Sequence, residues 1–197
     1  MVEVNGGQKP VDQSGGLRPG SGRVNVYGNK GGNEETGMRY MMKQKLWCLG
    51  DDFVIKDADD NDVFLVDGKA FSFGDKLSFQ DMNGNELAFI SQKLLSFKKT
   101  YEVYRQDRLF ATVVKELTFF KDRFTVDVPG PNDYEVRGNF LDHEYTFLRS
   151  GREVAHVSKE YFTWADTYGV DIVDGEDDIT ILATAVVIDL VCHEHNK

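Results

Sequence analysis

"EDDITILATAVVIDLVCHEHNK" (176–197) closes the chain, and from Ile179 to Cys192 it is almost unbroken hydrocarbon. A membrane anchor, a buried strand and a core helix each fit such a run, and the choice among them decides the fold. A membrane-spanning helix needs about 18–20 apolar residues, more than this run supplies, and Asp189 interrupts it. Ile, Val and Thr favour a strand by propensity. Buried strands, however, span about 4–8 residues, roughly half this length. The ends favour a helix. "DGEDD" (174–178) offers an N-cap and negative charge at the positive end of a helix dipole, while His193, His195 and Lys197 gather at the negative end. A helix that is apolar on every side must be buried on every side. Fifteen residues of it span about 22 Å, comparable to the height of a β-barrel.

Working outward, the preceding sequence supplies strands for such a barrel. "DDFVIKD", "DVFLVDG", "DKLSFQD", "NELAFIS", "YEVYRQD", "DRFTVDV", "EYTFLRS" and "REVAHVS" alternate apolar and polar residues between Asp, Asn and Gly clusters, the pattern of hairpin-linked antiparallel strands. Asn83-Gly84 is a strong hairpin signal, and Ser150-Gly151 does the same job. Gly84–Val103 aligned with Gly151–Val170 shares seven of twenty residues, among them Gly84/Gly151, Glu86/Glu153, Thr100/Thr167 and Tyr101/Tyr168. Upstream, Phe53 matches Phe124 and Asn61-Asp62 matches Asn132-Asp133. Two internal repeats of about six strands imply a closed barrel of about twelve, which removes the edge strands and leaves a lumen too wide for strand side chains to fill. The terminal helix is expected to thread that lumen. The fold class is therefore mainly β, a closed antiparallel barrel around a central hydrophobic C-terminal helix.

Residues 1–37 read differently. They hold ten of the nineteen glycines, few apolar side chains and charges that cancel, so they are expected to be a disordered tail or leader ahead of a domain at 38–197. Met38 could be the true start, and the domain is expected to keep its stability without the tail. All of the net charge of −10 then falls on the domain. Such an acidic chain is a poor partner for nucleic acid or for broad attachment to anionic lipid. Two cysteines, Cys48 and Cys192, are too few for a disulfide scaffold, and no signal-peptide core opens the chain, so a cytoplasmic location is expected, with peripheral membrane attachment as an option.

"MKQKLWCLGDDFVIKD", "GKAFSFGDKLSFQDMNGNELAFISQKLLSFKKTYEVY" and the terminal "AVVIDLVCHEH" resemble the LURP-one-related family of the tubby-like superfamily, over essentially residues 38–197. The resemblance implies a twelve-stranded tubby-like barrel around a C-terminal hydrophobic helix. It also implies kinship with tubby proteins, which bind phosphoinositides through a basic surface, and with phospholipid scramblases. It carries over no activity and no ligand-contacting residue.

Of the functional candidates, the best cationic set for a lipid headgroup is Lys93, Lys98, Lys99, Arg105 and Arg108, each of which also reads as an ordinary solvated charge on a strand face. "DADDND" (57–62) places Asp57, Asp59 and Asn61 at calcium-loop spacing, but Asp62 stands where that loop requires Gly and Gly68 where it requires Glu, so a hairpin turn is the better reading. Cys192, His193 and His195 read as a helix terminus rather than a metal site. No catalytic residue, metal or cofactor is expected, since no nucleophile elbow, catalytic carboxylate pair or phosphate loop is found. Two functions stay open: a non-enzymatic binding module for a lipid, phosphoinositide or protein partner, and an enzyme of unknown chemistry using the barrel mouth as a pocket. Asp189 is expected to emerge at that mouth, the alternative being a buried pair with an inward-facing Arg, Lys or His.

Overall fold

A computed structural model describes residues 23–27, 35–43, 52–68, 76–118, 122–159 and 167–193. The strands are β1 (Arg23–Tyr27), β2 (Glu35–Lys43), β3 (Phe53–Asp57), β4 (Asp62–Gly68), β5 (Lys76–Asp81), β6 (Glu86–Gln92) and β7 (Thr100–Arg105), followed by β8 (Arg108–Glu116), β9 (Arg123–Asp127), β10 (Tyr134–Asn139), β11 (Glu144–Arg149), β12 (Arg152–Ser158) and β13 (Thr167–Val173). One helix, α1 (Asp178–His193), ends the described chain.

From β3 to β13 each strand pairs antiparallel with the next, and β2 closes the ring. β2 meets β13 along Gly37–Lys43, with Tyr40 opposite Val170, and meets β3 at Tyr40↔Asp57 and Met41↔Lys56. The twelve strands β2–β13 thus form a closed antiparallel barrel, as the alternation predicts. β1 adds to β2 beside residues 35–38, on the same flank as β3. The expected boundary at residue 38 therefore falls inside a barrel strand. Of the stretch read as a disordered tail, residues 23–27 and 35–37 are in strands, while 1–22 and 28–34 lie outside the described residues. Gly37 is required by close approach, because a Cβ there would lie 2.1 Å from the Ile172 carbonyl oxygen across the β2–β13 seam.

Strand alternation sends one row of side chains inward, including Phe64 and Val66 on β4, Tyr101 and Val103 on β7, and Tyr145 and Phe147 on β11. They close on α1, in which every side chain from Thr180 to Val191 is buried. The helix packs against β6, β7, β8 and β13 and sits within the barrel, as its all-round apolarity demands. Asp177 is its N-cap, with Oδ1 accepting from Thr180 N at 3.1 Å.

Alternating strand direction gives the barrel two unlike ends. The connections 58–61, 82–85, 106–107, 128–133, 150–151 and 174–177 lie at the end where α1 starts. The hairpin signals are realised here: Ser150 and Gly151 both take positive φ (54° and 79°), and Asp57 and Asp81 each fold a turn by accepting backbone N–H groups. "DADDND" is such a turn, with Asp57 Oδ1 accepting from Asp59 N and Asn61 N at 2.9 Å. The described connections 93–99 and 140–143 lie at the end where α1 exits, as do residues 117–118 after β8 and 159 after β12.

Candidate functional site

Three polar groupings could carry function. The first surrounds the helix start. Arg105, at the end of β7, donates from Nη2 to Asp177 Oδ1 (2.6 Å) and to Thr180 Oγ1 (2.9 Å), and its guanidinium lies 4.1 Å from the Phe110 ring centroid. Tyr40 donates to Asp178 Oδ2 at 2.7 Å. Burial holds the Asp178 carboxyl above the usual aspartate range, partly offset by that hydrogen bond, and burial beside Asp178 pushes the Tyr40 phenol far up in turn. Tyr134, raised to about 12 chiefly by burial and then by Glu176, reaches the same carboxylate that Arg149 holds at 2.5 Å. These bonds fasten the helix start to β2, β7, β10 and β11, which accounts for every polar side chain named. They hold the plug in the barrel.

The second grouping lies in the core near the helix exit. Asp189 does not emerge at the mouth; it is buried, and its partners come from distant elements. His143 Nε2, in the β10–β11 turn, lies 2.6 Å from Oδ1, and the Tyr168 hydroxyl of β13 donates to Oδ2 at 3.1 Å. The buried pair with an inward-facing His is thus the arrangement adopted. The expectation of a surface position failed because the barrel wall extends past the helix residue, and desolvation without a partner is too costly to persist. The Tyr145 hydroxyl is buried nearby, and both tyrosines are raised by burial and by the Asp189 charge. Cys192, half-buried in the last helical turn, is raised by burial to about 11, so its thiol stays protonated at neutral pH. The His193 side chain and His195 lie outside the described residues. Histidine and carboxylate do converge here, with the side chains of both only 1% exposed.

The third grouping is the rim at the helix exit. Lys93, Lys98 and Lys99 flank the β6–β7 connection, where Lys93 Nζ donates to Glu102 at 3.0 Å and Lys98 pairs with Glu116. Those bonds are the leading reason why Glu102 and Glu116 titrate below the usual range. Arg105 and Arg108 face each other across the β7–β8 hairpin at the opposite end. At about 3.3 Å per residue, roughly 20 Å of β7 separates them from Lys99. The five predicted cations are therefore not one site. Three lie on one rim, Arg105 is a structural clamp on the helix, and Arg108 stands exposed beyond the clamp.

Sequence reasoning missed the apolar residues of that rim. Leu94, Leu95 and Phe97 of "KLLSFKK", which the sequence reading assigned no role, are 56%, 100% and 94% exposed. Their spacing carries no sign of this, because exposure depends on the loop's leaving the barrel wall.

Fold and groupings together define a closed twelve-stranded antiparallel barrel organised on a buried C-terminal helix, with its clearest exposed feature on one rim. The chain belongs to the LURP-one-related family, which it matches over residues 38–189. It is 34% identical over 152 residues to the uncharacterized protein YxjI of Bacillus subtilis (strain 168), an alignment covering 77% of this chain and 92% of that relative. No solved structure matches it.

Proposed function

We propose that the chain is a non-enzymatic binding module that takes anionic phospholipid headgroups on its helix-exit rim. The observation that carries this reading is the charge polarity of the barrel. The helix-start end sets Asp59, Asp60, Asp62, Asp107, Asp174 and Asp177 against Arg105, Arg108, Arg149 and Arg152, whereas Lys93, Lys98 and Lys99 stand at the opposite end with Asp122 and Asp142. A net charge of −10 repels an anionic surface on average, but this distribution turns the acidic end away and the lysines toward it. The Lys93–Glu102 and Lys98–Glu116 pairs are partly exposed, and such pairs contribute at most about 1 kcal/mol each. Both lysines can therefore exchange a carboxylate for a phosphate at little cost. No helix among the described residues is long and apolar enough to cross a membrane. The cytoplasmic leaflet, where anionic lipids concentrate, is the matching surface.

The test is sedimentation with vesicles of phosphatidylcholine and phosphatidylserine at low ionic strength. The parent chain should pellet with them, and the triple variant Lys93→Glu, Lys98→Glu, Lys99→Glu should stay in solution with an unchanged melting temperature. Absence of vesicle binding by the parent would overturn the reading.

A further inference from the structure

We infer that the β6–β7 connection is a membrane-inserting tip, whose Leu94, Leu95 and Phe97 enter the boundary between headgroups and acyl chains. The inference rests on the lipid reading above and specifies how the lipid is held. Bulky apolar side chains left fully in water on an ordered element mark a contact surface. This element is ordered by its own bonds. Lys93 N donates to Thr100 O at 2.8 Å, the Ser96 and Thr100 hydroxyls meet at 2.9 Å, Thr100 Oγ1 donates to Lys98 O at 3.0 Å, and Lys115 N donates to Lys99 O at 2.9 Å. The base of the loop is thus pinned to β7 and β8, which holds its apolar side chains outward.

Two features select a bilayer as the occupant. The tip projects, with Leu95 and Phe97 touching almost nothing, so it suits a fluid acceptor that closes round it. Its order, Lys-Leu-Leu-Ser-Phe-Lys-Lys, also sets cations on both sides of the apolar residues, where their aliphatic stems follow the inserted surface and their ammonium groups remain among phosphates. The next connections round the same end add Leu117, directly after the Glu116 that holds Lys98, and Leu141 in the β10–β11 turn; both are exposed. Among the described residues, five of the seven large exposed hydrophobics thus lie on one end, and Met82 and Leu109 on the other. The membrane face is the helix-exit end.

Vesicles of phosphatidylcholine with phosphatidylserine serve as the probe. The full chain should bind them, and binding should persist in part at high salt, where purely electrostatic attachment is lost. Leu95→Ser combined with Phe97→Ser should weaken binding at least tenfold, on the order of one exposed apolar side chain's transfer energy or more, with the melting temperature unchanged. Phe97→Trp should gain blue-shifted emission on vesicles, relative to the parent chain with its own two tryptophans. Failure of the parent to bind would remove the headgroup reading itself. Parent binding that the double serine variant leaves intact, with no blue shift, would overturn insertion alone. A double variant that instead loses self-association, with vesicle binding intact, would assign the tip to contacts between copies and also overturn the inference.

Discussion

His143 Nε2 lies 2.6 Å from Asp189 Oδ1, with both side chains 1% exposed in the core near the helix exit. The pair bonds the helix directly to the β10–β11 turn, and Tyr168 adds a bond from β13. Removing either partner takes away the other's closest polar contact in a site closed to water. Asp189→Ala and His143→Ala should each lower stability by about 3–5 kcal/mol, measured by urea unfolding. The double variant Asp189→Leu, His143→Leu should cost clearly less than the sum of the single changes. Additive costs would mean that the contact is incidental.

Arg105 belongs to the scaffold and lies at the opposite end from the lysines of the helix-exit rim. Arg105→Ala removes its bonds to Asp177 and Thr180 and its stacking on Phe110, so stability should fall by about 1–3 kcal/mol. Vesicle binding by the folded fraction should be unchanged. Lost binding at unchanged stability would return Arg105 to the functional set.

The strands upstream of Met38 make truncation costly. A chain begun at Met38 lacks β1 and also the bonds from Arg23 (2.7 Å) and Thr36 (2.5 Å) to Asp174, which together hold that carboxyl below its usual range. Its melting temperature should fall by several degrees relative to the full chain. In the full chain, Gly37→Ala should be worse than an ordinary strand substitution, because its Cβ meets backbone rather than a movable side chain. Equal melting of full and shortened chains would show that β1 contributes nothing.

The raised Asp178 carboxyl gives a pH dependence of definite sign. Burial makes the folded state bind this proton more tightly than the unfolded state. The carboxyl's contribution to stability therefore falls as pH rises from the ordinary aspartate range through the raised folded value. Asp178→Asn keeps an acceptor for the Tyr40 hydroxyl without the charge. Its melting temperature relative to the parent should rise across that window and level off above it. A difference that stays flat with pH would show that Asp178 is not titrating there.

Much of the architecture was legible in residue order alone. Strands β3–β7, β9, β11 and β12 announce themselves by alternation over five to seven residues, and Ser150-Gly151 specifies a turn through its two positive φ angles. The site was legible only in part. "KLLSFKK" shows its lysines but not that its apolar residues face water. Arg105 looks like its neighbouring cations until Asp177, seventy-two residues later, is seen to accept from it.

Sequence by itself determined the elements: a chain of antiparallel strands, and a terminal helix whose length, capping aspartate and all-round apolarity left it nowhere to go but inside. These are local properties, set by side-chain period and by the few residues at each end. Tertiary structure alone decided where the ring closes, that the start of β2 belongs to it with β1 added alongside, and which side chains share an end. It also chose His143 and Tyr168 as partners for Asp189 from residues 46 and 21 positions away. The reason is geometric. Alternating strand direction sends Lys99 and Arg105 to opposite ends of the barrel although they stand six positions apart, and brings the β10–β11 turn against the last turns of the helix. No local window of sequence contains that information.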